Sequence, residues 1–237
     1  MASEILKSRD EIHAARGILK STGLSCITPW PLSIFVKHGI RNGITVGDPL
    51  KSWDVLKTIE FIRENIPFSS RILDIGAYAS EILCILYRLR YYSLTGIDVN
   101  PLVKKMPHSD VIRYEVSDFM ASPFGSESFE AISAISVIEH GFDGKRLLEE
   151  ISRLLCPGGH FLASFDYWPE KVDTTGIRVF DMKWNIFSKA EVLDFVEKAK
   201  SHGLHPVGEL RLDAEDKVIH WGGKEYTFAW LALCKAA

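Results

Sequence analysis

Apolar residues along this chain fall into two alternating patterns. Short apolar runs at 71–75, 92–98, 111–116, 129–135 and 160–165 read as buried strands. Between them, apolar residues recur at helical spacing. Trp53, Val55, Leu56, Ile59, Phe61 and Ile62 mark a helix over 51–65, a second helix follows near 80–90, and Leu147, Leu148, Ile151, Leu154 and Leu155 mark one over 144–155. Pro67 stops the first of these and Cys156-Pro157-Gly158-Gly159 the last. Ser188-Lys189-Ala190-Glu191 is a capping box that opens a further helix to about Ser201, which Gly203 ends. Strands alternating with helices predict a mostly parallel sheet with helices on its faces. Two last strands, about 207–212 and 226–234, have no helix between them, so they are expected to pair as a hairpin. The fold class expected is α/β, a doubly wound seven-stranded sheet with an antiparallel last strand.

The region before residue 51 reads differently. Residues 1–20 predict a short amphipathic helix with Ile5, Ile12, Ala15 and Leu19 on one side. Ser21 to Asp48 is broken by Pro29-Trp30-Pro31 and by Gly39, Gly43 and Gly47, yet it is too apolar for a linker. It is read as a lid. The expected organisation is an N-terminal helix and cap over 1–50 and the main domain over 51–237.

Composition narrows the classes without changing this picture. The 237 residues are 46% hydrophobic and 25% charged, ordinary values for a globular chain. A net charge of -3, from 28 basic and 31 acidic residues, gives none of the basic excess that a nucleic-acid surface needs. Cys26, Cys84, Cys156 and Cys234 show no metal-ligand spacing, so no metal is expected and reduced thiols are. No signal-peptide pattern and no membrane-length apolar run is present, and the expected location is the cytoplasm.

Ligands of open α/β sheets bind beyond the carboxyl ends of parallel strands, so the residues just after each strand carry the chemistry. The first strand ends in Asp74-Ile75-Gly76, where a glycine lets backbone approach a ligand. Asp98 ends the second strand, where a carboxylate can accept two ribose hydroxyls; the plainer role is a cap before Asn100-Pro101. Asp118 ends the third, where it can accept from an adenine amino group beside Phe119, or merely cap a turn.

The ordered series Asp74-x-Gly76, Asp98, Ser117-Asp118-Phe119, Val137-Ile138-Glu139-His140 and Leu154 to Gly159 resembles class I S-adenosylmethionine (SAM)-dependent methyltransferases of the small-molecule branch, similar to the type 11 family. The resemblance covers roughly residues 51–235. It implies a Rossmann-like fold and SAM as cofactor. It also implies Asp74, Gly76 and Ala77 at the methionine end, Asp98 on the ribose, Val99 beside the adenine, Ser117, Asp118 and Phe119 around the adenine, and Ser136 beneath the sulfonium. Tyr78 and Ser80 depart from the pattern, standing where the family usually has glycine.

The reading expected is methyl transfer to a small-molecule acceptor, with oxygen as the atom methylated. His140 and Asp166 are the candidates to take the acceptor's proton. Trp30, Phe35, Tyr167, Trp168 and Trp184 are candidates for the acceptor wall. A methyltransferase-like binding or scaffold protein with a degenerate cofactor turn is the alternative that Tyr78 and Ser80 motivate. A nicotinamide-dependent oxidoreductase is disfavoured, because the turn has only the first glycine of G-x-G-x-x-G.

Overall fold

The computed structural model describes residues 2–29, 31, 34, 44–141 and 143–237. Eleven strands are found among them: β1 (Ser3–Ile5), β2 (Ile72–Ile75), β3 (Leu94–Asp98), β4 (Arg113–Val116), β5 (Phe129–Ile135), β6 (Leu155–Tyr167), β7 (Arg178–Val179), β8 (Met182–Lys183), β9 (Leu204–Pro206), β10 (Ile219–Trp221) and β11 (Lys224–Lys235). The helices are α1 (Arg9–Ser21), α2 (Ser52–Asn65), α3 (Ile82–Arg88), α4 (Gly144–Leu154) and α5 (Lys189–Ser201). The central sheet runs β1-β11-β6-β5-β2-β3-β4, with β9 and β10 also paired to β11. Strands β4, β3, β2, β5 and β6 are parallel, and β11 is antiparallel to β6. This is the Rossmann-like, mostly parallel sheet with a reversed last strand.

Strand alternation sorts the two faces. Ile72, Leu94, Ala131, Leu162 and Trp230 pack with Ile12 and Leu19 of α1, Val55, Ile59 and Ile62 of α2, and Ile82 and Leu86 of α3. Leu73, Ile75, Ile132, Ala134, Ala163 and Leu231 pack with Leu147, Leu148 and Ile151 of α4 and Val192 and Val196 of α5. A period of two then places Asp74, Asp98, Ser133, Ser164 and Asp166 on the α1–α3 face, at the carboxyl ends of their strands. The polar site is therefore one-sided.

Three local expectations change. Residues 3–5 are a strand on β11 rather than the start of the first helix, which begins at Arg9 behind the Ser8 cap. Three residues are too few to show an alternation. The strand expected over 207–212 lies instead at Leu204–Pro206. Gly208 has φ 100°, a left-handed conformation that breaks an extended run. The hairpin with β11 is consequently made by β10, through Trp221↔Lys224. Among the described residues, no helix is long and apolar enough to cross a membrane.

Candidate functional site

The turn after β2 is built from strained backbone held by side chains. Gly76 and Ala79 have φ of 71° and 62°. A Cβ on Gly76 would stand 2.5 Å from Val137 Cγ2, so the turn and the loop after β5 fit only around a glycine. Asp98 Oδ2 accepts from Tyr78 N at 2.9 Å and its Oδ1 from Asn100 N at 2.8 Å. Asp98 thus ties the turn to the end of β3 while keeping lone pairs for further donors. The Tyr78 ring packs against the core of the α1–α3 face. Ser80 Oγ accepts from Ile82 N at 3.3 Å, and the Ser80 hydroxyl lies close enough to Asp74 to lower its pKa.

Asp74 is buried, and its Oδ1 accepts from Ser133 Oγ at 2.6 Å. Its Oδ2 has no partner. Burial pushes this carboxyl up to about 7; the hydroxyls of Ser133 and Ser80 oppose the shift and the Asp98 charge adds to it. A buried carboxylate with a free oxygen beside a glycine turn suits an ammonium donor such as the methionyl amine of SAM. Ala77 is buried in the turn, and Val99, just after β3, is 64% exposed. Asp118 Oδ1 accepts from Met120 N at 2.9 Å, so the capping role is real, and its other oxygen faces solvent on an exposed residue next to half-buried Ser117. Phe119 is buried in the opposite face of the sheet and offers little surface to a ligand. Ser136 holds φ 54°, strained for a non-glycine, and its hydroxyl is buried without a partner. These residues fit SAM in the donor set they present.

On the acceptor side the structure gathers more than was expected. Asp166 is buried, and its Oδ2 accepts from Trp184 Nε1 at 2.7 Å. Burial raises its pKa; Lys51, Trp184 and Tyr226 oppose that. His140 is held near the neutral form, at about 4, by burial and by the Lys51 charge. Its Nε2 lies 4.0 Å from Glu139 Oε1, and backbone of His140 bridges to Trp184. Glu139 is buried and pushed well up by burial and by the nearby Asp166 charge. Asp54, fully buried on α2, accepts from Ser164 Oγ at 2.8 Å and is pushed up to about 6 by burial. Ser164 Oγ in turn accepts from Ser136 N at 3.2 Å, linking α2 to the strained turn.

His140, Asp166 and Trp184 are thus brought together. Tyr167 is not: it is fully buried among the α4–α5 core, and its hydroxyl donates to Leu212 O at 2.5 Å. Being one residue from Asp166 on an extended strand, it must face the other side. Trp168 is half-buried, with Lys217 Nζ 5.0 Å from its ring centroid. Trp30 and Phe35 lie outside the described residues. Lys51, Asp54, Glu139, Ser133, Ser164 and Tyr226 are the site residues that were missed or given only a shaping role. Asp54 and Thr58 carried a signal, being polar at positions i and i+4 within the apolar stripe of a helix.

Residues 73–163 match the protein family described as a methyltransferase domain. A sterol 24-C-methyltransferase from Gibberella zeae is 28% identical over 99 residues, which are 38% of this chain and 26% of that protein. The chain therefore spans about a quarter of that relative's length. Among solved structures, the geranyl diphosphate C-methyltransferase from Streptomyces coelicolor A3(2), in complex with geranyl diphosphate and S-adenosyl-L-homocysteine, superimposes with a TM-score of 0.59 at 14% identity, over 82% of this chain and 91% of that one. The 4+2 cyclase SpnF superimposes with a TM-score of 0.58 at 15% identity, over 100% of this chain and 99% of that one. At such identities the likeness is one of fold.

Proposed function

We propose, from the premise that this chain carries a domain of the class I SAM-dependent methyltransferase family, that it transfers a methyl group from SAM to a small-molecule acceptor. The observation that carries the reading is the free Oδ2 of buried Asp74, set beside the glycine turn and next to Asp98. Asp74 and Ser80 would hold the amino-acid end of the cofactor, Asp98 the ribose hydroxyls, and Asp118 with Val99 the adenine. When bound, SAM supplies an activated methyl group on a sulfonium sulfur. The chain's part is to align the acceptor, exclude water and take a proton. Asp166 and His140, brought together beyond β5 and β6, would take that proton. Such a base serves a hydroxyl, as expected from the sequence, or an ammonium alike. We read residues 1–50 as a cap on the domain of 51–237, supported by Gly47 N donating to Ala79 O at 2.7 Å and by the Arg16–Glu81 pair at 2.5 Å.

The second reading, a binding or scaffold protein, keeps one observation in its favour: Tyr78 and Ser80 occupy the turn. Against it, half-buried Tyr78 packs against the core and Ser80 caps the start of α3 at Ile82 N. Isothermal calorimetry with S-adenosylhomocysteine separates the two. Binding in the micromolar range is expected, and no heat at millimolar ligand sinks the methyltransferase reading. Binding without formation of S-adenosylhomocysteine from SAM across a broad acceptor panel would favour the second.

A further inference from the structure

Six side-chain atoms are buried without a partner among the described residues, and four of them cluster beyond the cofactor turn: Ser136 Oγ, Glu139 Oε2, His140 Nδ1 and Asp166 Oδ1. Buried polar atoms are nearly always paired, so such a concentration points to groups that a ligand supplies. Three buried carboxyls share this corner with one cation. Asp54 and Asp166 both lie near Glu139, Lys51 lies beside all three, and burial favours the protonated form of each carboxyl. Lys51 Nζ lies 3.9 Å from Asp166 Oδ1, outside hydrogen-bond reach, and 3.6 Å from the centre of the Phe228 ring. Asp54 is satisfied by Ser164 Oγ and by Val55 N. Glu139 and Asp166 are the two carboxyls left with a free oxygen.

The surroundings decide what would occupy these oxygens. An anion would meet three carboxyls and one cation. A neutral hydroxyl would answer one free oxygen and leave the other. An ammonium answers both, with several donors on one atom. The aromatic residues beside Asp166 agree: Trp184 donates to its other oxygen, and the Trp184 and Tyr226 rings stand edge to face with centroids 5.7 Å apart. The Trp184 Nε1–H lies in the plane of its ring, so the indole meets Asp166 edge-on and walls the site beside it. The cluster meets solvent at Lys51, whose side chain is 24% exposed.

We propose that this cluster binds the ammonium group of an amine, through Asp166 Oδ1 and Glu139 Oε2 against the Trp184–Tyr226 wall, and so selects an amine-bearing acceptor. Only the word acceptor rests on the methyltransferase reading; the ammonium site stands on its own geometry. Lys51 is then a resident cation that the ligand must share the cluster with, a role opposite to that of a structural salt-bridge partner.

The test uses the full chain saturated with S-adenosylhomocysteine, and the same chain without it. Benzylamine is titrated at neutral pH, with benzyl alcohol and benzoate as isosteric controls. Binding is read from calorimetry and from the Trp184 emission, with Trp184→Phe to assign the signal. Benzylamine is expected to bind at least about tenfold more tightly than either control, and Asp166→Asn to remove about tenfold of that affinity. Glu139→Gln is the second variant should Asp166→Asn fail to fold. Lys51→Met is expected to tighten benzylamine several-fold. Equal binding of the three probes, absence of benzylamine binding, or a Lys51→Met protein that binds benzylamine more weakly overturns the proposal. Failure of S-adenosylhomocysteine to bind would instead strike the methyltransferase reading, while the amine titration without it still reports on the site.

Discussion

Asp74 and Asp98 are both strand-end carboxylates, but the structure gives them different work. Asp98 spends one bond on the turn and one on its own loop. Asp98→Ala is expected to weaken S-adenosylhomocysteine binding by roughly 10- to 100-fold, the loss of charge-assisted hydrogen bonds worth about 1.5–3 kcal/mol. Unchanged affinity in a folded Asp98→Ala protein, measured calorimetrically, would remove Asp98 from the site. Asp74 is the stability case. Its carboxyl is pushed up to about 7, so the folded chain holds a proton there that the unfolded chain has lost above about pH 4. The stability this contributes is present in acid and lost as pH rises through 7. His140, held down near 4, acts the other way between about pH 4 and 6.5. A comparison that isolates Asp74 is therefore needed. Asp74→Asn is expected to gain stability relative to the unmodified protein as pH rises from 5 to 8, by about 2–3 kcal/mol at most, read from denaturant unfolding. The strand-end placement of both residues was legible from alternation alone. Their partners were not, because Ser133 and Ser164 sit inside apolar strands and meet Asp74 and Asp54 only across 59 and 110 positions of chain.

At the scale of elements, the segment before α2 is joined to the cofactor turn by one buried ion pair. Arg16 on α1 reaches Glu81 at the start of α3, and Glu81 also accepts from Cys26 N at 3.0 Å. Breaking a buried pair by removing one partner costs about 3–5 kcal/mol. Arg16→Met is therefore expected to lower the melting temperature by roughly 10 °C at about 2–4 °C per kcal/mol, with Arg16→Met/Glu81→Gln recovering part of the loss. Scanning calorimetry of both single variants and the double variant checks this, and a double-variant loss equal to the sum of the two single losses would show that the charges are not coupled. Tyr167 gives a second case. Tyr167→Phe should cost about 1 kcal/mol of stability through the lost bond to Leu212 O, while leaving S-adenosylhomocysteine affinity intact. The core strands and α2 were legible because their apolar patterns are long. The edge was not: β1 and β10 are three residues each, and their place depends on β11 rather than on their own composition.

The whole molecule is a sheet whose polar chemistry lies on one face and whose reversed strand β11 serves four neighbours, β1, β6, β9 and β10. That arrangement has a consequence for how the chain is made. Ser3–Ile5 pairs with Ala229–Leu231, and Thr227 Oγ1 donates to Leu6 O across 221 positions. On the ribosome, residues 3–6 emerge more than 200 positions before their partners. The strands from β2 to β6 can pair while synthesis continues, but β1 must wait with an open edge until β11 has emerged. Such long-range closure is slow and leaves an unpaired strand edge in the nascent chain, the kind of surface that chaperones cover. Moving residues 1–8 to follow residue 235 in a circular permutant would shorten that wait, and faster refolding with an unchanged native state, followed by stopped-flow fluorescence, is the expected result.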